Sequence, residues 1–214
     1  MPALQLAPLP RQVRDSNPAV LAEALRDGVN LAIWERELSP AVAGFVAALL
    51  AQGTPLAESL SVEIAADGSG CSLPTLAGGA AGLPGHAAFV ADVAWLLDAY
   101  ACLLDARRVG LRLRLLDRAM CPRFHIDRVP LRLVSTYAGP GSEWLGEGSM
   151  PRQRIGQAAA EPQRPELIHK MAAGHVALLK GERWVGNEHT AIVHRSPPVA
   201  DGERRLLLTL DWLD

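Results

Sequence analysis

Five short β-prone segments crowd the C-terminal half of the chain: GLRLRLLD (110–117), LRLVSTYAG (131–139), HVALLKG (175–181), TAIVHRS (190–196) and RLLLTLDW (205–212). Each is a brief, mainly apolar run bounded by turn formers, which is the pattern of a strand. The connections between them are long enough to cross from one sheet to another. A double-stranded β-helix (jelly roll) therefore fits better than a stack of hairpins, with helices packed outside it in an α+β chain. Periodicity leaves the strand order open.

The first hundred residues read differently, with helices dominant. Asn17-Pro18 before AVLAEALRDG supplies an N-cap and a proline for the first helical position, and Gly28 is the stop signal. Ser39-Pro40 and Gly53 bracket a second helix in the same way, while VNLAIWER (29–36) and SLSVEIAAD (59–67) read as strands. GSGCSLPTLAGGAAGLPG (68–85) is a loop and the best candidate boundary. From His86 to Ala106, the spacing of Phe89, Val93, Leu96, Leu97, Tyr100 and Leu104 predicts a long helix with one apolar stripe. The expected organisation is a single domain over 1–214, with 1–106 a mainly helical support and 107–214 a jelly-roll metal-binding core.

Composition narrows the function. At 214 residues, 49% hydrophobic and 21% charged, the chain can bury a sizeable core. A net charge of −2 offers no positive field for nucleic acid or anionic membrane, so neither is an expected partner. Cys71, Cys102 and Cys121 are odd in number and lack CxxC spacing, which argues against a disulfide framework. The N-terminus lacks the pattern of a secretory signal, and Asp92 and Asp98 interrupt the most apolar stretch. A cytoplasmic location is expected.

Chemistry concentrates in CPRFHID (121–127). On extended backbone, His125 and Asp127 project to one face and can both reach one ion. A third ligand is best sought on another strand. His86, His169, His175 and His189 have plainer readings as helix-start, turn or strand-flanking residues. His194 closes the apolar run TAIV and precedes a turn into a strand headed by Arg204 and Arg205, which a hairpin would bring back beside it. A cation there could pair with the carboxylate of an organic acid bound to the metal.

His125, Asp127, His194 and the arginine ten or eleven residues beyond it resemble the HxD…H…R pattern of the iron(II)/2-oxoglutarate-dependent dioxygenases over roughly residues 120–212. That resemblance implies that His125, Asp127 and His194 hold iron(II), and that Arg205, with Arg204 as the alternative, pairs with 2-oxoglutarate. Tyr137, in RLVSTYAGPGSEWL, resembles a tyrosine that contacts 2-oxoglutarate in prolyl-hydroxylase-like members. The blocks CPRFHID, STYAGPGSEWL and IVHRSPP also resemble an uncharacterised bacterial family catalogued as a domain of unknown function, some of whose members are encoded beside zinc-homeostasis genes.

The chemistry is separable from the name. Two imidazoles and a carboxylate occupy one face of a six-coordinate metal and leave the opposite face for a bidentate 2-oxo acid and dioxygen. Singly, each residue has a structural reading: Asp127 accepting backbone amides in a turn, His125 buried in a core, His194 closing a hairpin. Cys121 opens the runner-up. If its segment turned, Cys121, His125, Asp127 and His194 could form a zinc site, as in a zinc carrier or sensor of zinc homeostasis. Cys121 also has a plain reading as a small buried hydrophobe. Ser196 lacks a nucleophile elbow, and GGAAG (78–82) lacks the surroundings of a phosphate loop. The substrate, a small molecule or a peptide, is left open. The long polar segment 146–167, with Arg152, Arg154 and Arg164, reads as a lid or a solvated connector.

Overall fold

The computed structural model describes residues 9–65, 70–157 and 160–213. Among the described residues, ten strands form two sheets. β1 (Arg11–Asp15), β2 (Val29–Trp34) and β3 (Ala57–Glu63) come from the N-terminal half. They are followed by β4 (Arg108–Leu116), β5 (Leu131–Ala138), β6 (Glu143–Leu145) and β7 (Ile168–Lys170). β8 (Val176–Lys180), β9 (His194–Arg195) and β10 (Arg205–Trp212) complete the set. The large sheet has the order β1-β2-β8-β5-β10-β4-β3 and the small one β7-β6-β9. Every pairing in them is antiparallel except β1 with β2.

The expected division at residue 106 does not follow the large sheet, three of whose strands lie N-terminal of it. Periodicity could not place them, because a strand's partners are set by long-range pairing rather than by its own sequence. The start and stop signals did place α1 (Pro40–Gln52): Ser39 Oγ accepts from Val42 N at 3.3 Å, and Gly53 ends the helix at φ +71°. The Pro18–Leu25 segment, expected as a helix, is 3-10 in form, with Asn17 Oδ1 accepting from Ala19 N at 2.9 Å. α2 (His86–Leu104) buries Phe89, Val93, Leu96, Leu97 and Tyr100, as its stripe predicts. It is long and apolar enough to cross a membrane by composition, but that stripe lies in the protein's main core.

Strand alternation gives the large sheet two distinct faces. Leu131, Leu133 and Tyr137 of β5, with Leu206, Leu208 and Leu210 of β10, lie in the core under α1 and α2. Val134 and Leu207 point the other way, where they meet Trp144 of the small sheet together with Leu31, Ile33 and Leu179. That inner face carries Arg132 and Thr136 of β5 and Arg205, Thr209 and Asp211 of β10.

A third cluster, Phe124, Leu145, Met150, Ala160 and Val193, packs Ile155 and Ile168 against the small sheet. The described part of segment 146–167 is thus anchored by apolar side chains. Arg152 ties it further, donating to Glu147 at 3.0 Å and to the Ala191 carbonyl at 2.9 Å.

Candidate metal centre

His125 and His194 face each other across an isolated antiparallel bridge beside the small sheet. His125 N donates to the His194 carbonyl at 2.9 Å, and His194 N to the His125 carbonyl at 3.0 Å. Residues directly opposite in such a pair project to the same side. The two rings accordingly lie 4.5 Å apart, centroid to centroid. Asp127, two residues along extended chain, returns to that side as well. Ligand atoms of His125, Asp127 and His194 all lie within 4.8 Å of one another.

The donors are arranged to leave electron pairs free. His125 Nδ1 lies 2.9 Å from the Arg123 carbonyl and His194 Nδ1 3.3 Å from the Ile192 carbonyl, so each is the protonated nitrogen and Nε2 the open donor. Burial, and then the charge of His194, lower the pKa of His125, which favours the neutral, ligating ring. Asp127 is 8% exposed. Burial would raise its pKa, but His194 beside it, and then Arg132 and His125, carry it well below the usual carboxylate range. Its Oδ1 accepts from Arg132 Nη1 at 2.9 Å and stands 3.8 Å from His125 Nε2, whereas Oδ2, buried without a hydrogen-bond partner among the described residues, is 3.4 Å from His194 Nε2. An orphaned carboxylate oxygen beside one imidazole nitrogen, in a cluster with a second, fits a divalent ion.

The cluster opens on a cavity of about 80 Å³ roofed by His125 and His194 and floored by Arg132, Val134, Leu207 and Thr209, with Arg205 and Ser142 also lining it. Arg205 is 1% exposed. Its Nη2 donates to Ser142 Oγ at 2.7 Å and Thr136 Oγ1 at 3.1 Å, while Nε has no partner. Burial lowers its pKa to about 10. Among the described residues no carboxylate forms an ion pair with it, an expensive state for a buried cation unless an anion arrives. Gly139, at φ +76°, makes this corner possible: a Cβ there would stand 2.3 Å from the Arg204 carbonyl oxygen. Arg204 itself is turned toward Gly53 at the end of α1, 3.7 Å from where a side chain would begin.

Tyr137 does not join the cavity. Period-two alternation sends it, with Leu131 and Leu133, to the helix-covered face, where its hydroxyl donates to Asp92 Oδ2 at 2.5 Å and its ring meets Phe89. Thr136, its neighbour on the strand, faces Arg205 in its place. Cys121 is exposed and lines the cavity, but its thiol is not among the converging ligand atoms. Its backbone bonds Ser196, the Cys121 carbonyl accepting from Ser196 N at 2.9 Å and the Cys121 amide donating to Ser196 Oγ at 3.4 Å.

Sequence reasoning missed Arg132, Asp211, Thr136 and Ser142. Arg132 and Asp211 are directly opposite on β5 and β10, linked at 2.6 and 3.2 Å. The signal was alternation itself: if Leu131 and Leu133 are core, Arg132 belongs to the other face.

Two sheets around a His-Asp-His centre, in a mixed α+β chain, resemble the iron(II)/2-oxoglutarate oxygenases. A dioxygenase for auxin oxidation in rice aligns over 96% of this chain and 83% of its own, at 15% identity and a TM-score of 0.51. A prolyl-4-hydroxylase of Pseudomonas putida aligns over 91% and 96%, at 12% identity and a TM-score of 0.47. The likeness to the rice enzyme is one of fold. Residues 15–211 match the family described as Protein of unknown function (DUF1826), and the chain belongs to that family. No curated protein matches the sequence.

Proposed function

We propose that this protein is an iron(II)-dependent oxygenase that uses 2-oxoglutarate, built on a double-stranded β-helix formed by its two sheets. The observation that carries the proposal is the convergence of His125, Asp127 and His194 at a cavity that two of them, His125 and His194, line together with Arg205, a buried arginine that has no anionic partner among the described residues. Three protein donors leave coordination positions for external ligands, as catalytic rather than closed structural sites do. Iron(II) held there would couple the oxidative decarboxylation of 2-oxoglutarate to oxidation of a second substrate by dioxygen.

The chain's own residues orient the acid. Arg205 offers a charge-assisted fork for its distal carboxylate, and Ser142 and Thr136, which already hold that guanidinium, fix the direction of the fork. Val134 and Leu207 give the acid an apolar wall that excludes water between the two ends. A small-molecule or peptide substrate and a cytoplasmic location complete the proposal. A closed zinc site is less well supported, because Cys121 does not supply a fourth donor.

The test is turnover of 2-oxoglutarate without a second substrate. With iron(II), air and ascorbate as the two-electron reductant that takes the second oxygen atom to water, the protein should release succinate slowly and stoichiometrically with carbon dioxide, and Asp127→Ala should not. Equal release by both would refute the assignment.

A further inference from the structure

We propose that Arg132 is a positioning residue for the metal, one that occupies Asp127 Oδ1 and so makes Asp127 a one-oxygen ligand through Oδ2. The inference rests on the metal-site reading above and concerns how that site is kept open. A carboxylate can give a metal one oxygen or two, and a second oxygen would fill a coordination position that an external ligand needs.

The geometry points to a fixed device rather than a passing contact. Arg132 is clamped on its far side by Asp211, with Nε 2.6 Å from Oδ1 and Nη2 3.2 Å from Oδ2. The two residues are register partners on adjacent strands, so backbone hydrogen bonding holds them face to face. Arg112, from β4 on the other flank of β10, also bonds Asp211. The remaining arm, Nη1, is thereby aimed at Asp127 Oδ1, 2.9 Å away. With Asp127 8% and Asp211 7% exposed, water competes weakly for these bonds.

The same chain of groups sets the charge that a ligand would meet. Two arginines, Arg112 and Arg132, balance two carboxylates, Asp211 and Asp127. Asp127 therefore does not neutralise a bound divalent ion by itself, because Arg132 offsets its charge. The centre keeps its attraction for an anionic external ligand such as a 2-oxo acid.

Cobalt(II) is the probe, because its visible bands report coordination geometry without turnover. The wild-type protein should bind one cobalt(II), and Arg132→Gln should still bind it but with altered bands, because the freed Oδ1 can join the ion as a second oxygen. Asp211→Asn, which leaves Arg132 present but removes its clamp, should change the bands in the same direction to a smaller extent. Wild-type bands in Arg132→Gln would overturn the proposal. If that variant does not fold, a wild-type spectrum in Asp211→Asn would overturn it. Failure of the underlying site looks different: the wild type would bind no cobalt(II), or His125→Ala would bind it equally well.

Discussion

Two carboxylates on opposite sides of the large sheet, half-buried Asp92 and buried Asp127, are each held by an arginine, yet they are finished differently. Asp92 is closed: Arg36 donates to its two oxygens at 2.6 and 2.9 Å, and Tyr137 completes Oδ2. Burial and the Asp92 charge push the Tyr137 phenol well above its ordinary pKa, so it remains a donor there. Asp127 is open, with one oxygen taken by Arg132 and the other buried without a partner. A satisfied network fixes structure, whereas one left incomplete beside two imidazoles and an arginine without an anionic partner among the described residues is what the proposed metal and acid would complete.

The sharpest break of the comparison exchanges the two aspartates' losses. Asp127→Ala should abolish stoichiometric binding of a divalent metal by calorimetry while leaving a folded protein. Asp92→Ala should keep metal binding but lose about 1–3 kcal/mol of stability in denaturant, because it leaves the half-buried Arg36 without its carboxylate and with the Gly174 carbonyl as acceptor. Loss of metal binding in both, or in neither, would mean that the two sites do not divide the work as described.

A smaller effect separates Arg205 from Tyr137. Arg205→Met should weaken 2-oxoglutarate binding by about 2–5 kcal/mol, at least roughly thirtyfold in Kd. It should also raise the melting temperature of the ligand-free protein, since a buried cation without a carboxylate is replaced by an apolar side chain. Tyr137→Phe should do the reverse, costing about 1 kcal/mol of stability with no change in 2-oxoglutarate affinity. Calorimetry paired with thermal melts reads both.

How much of this was legible in the sequence follows from the range of each interaction. HxD spacing and the place of His194 after the apolar run TAIV are local, so the three converging side chains could be read directly, although that run is not a strand and His194 opens the two-residue β9. Arg205 could be named but not separated from Arg204, since only the register of β10 against its neighbours decides which one enters the cavity. Tyr137 was placed by resemblance, although the alternation of Leu131, Leu133 and Tyr137 already assigned it to the core face. β6 and β7, three residues each, are too short for a periodic signal and exist through their partners. Ser142 reaches Arg205 only because Gly139 lets two chains pass closely, a tertiary fact that no local pattern encodes.

The most direct measurement is an anaerobic titration of the iron(II)-loaded protein with 2-oxoglutarate, followed by visible absorption. The account predicts a metal-to-ligand charge-transfer band that saturates at one equivalent, requires excess acid in Arg205→Met, and never forms in His125→Ala or Asp127→Ala. No band in the wild type, or an undiminished band in His125→Ala, would contradict it.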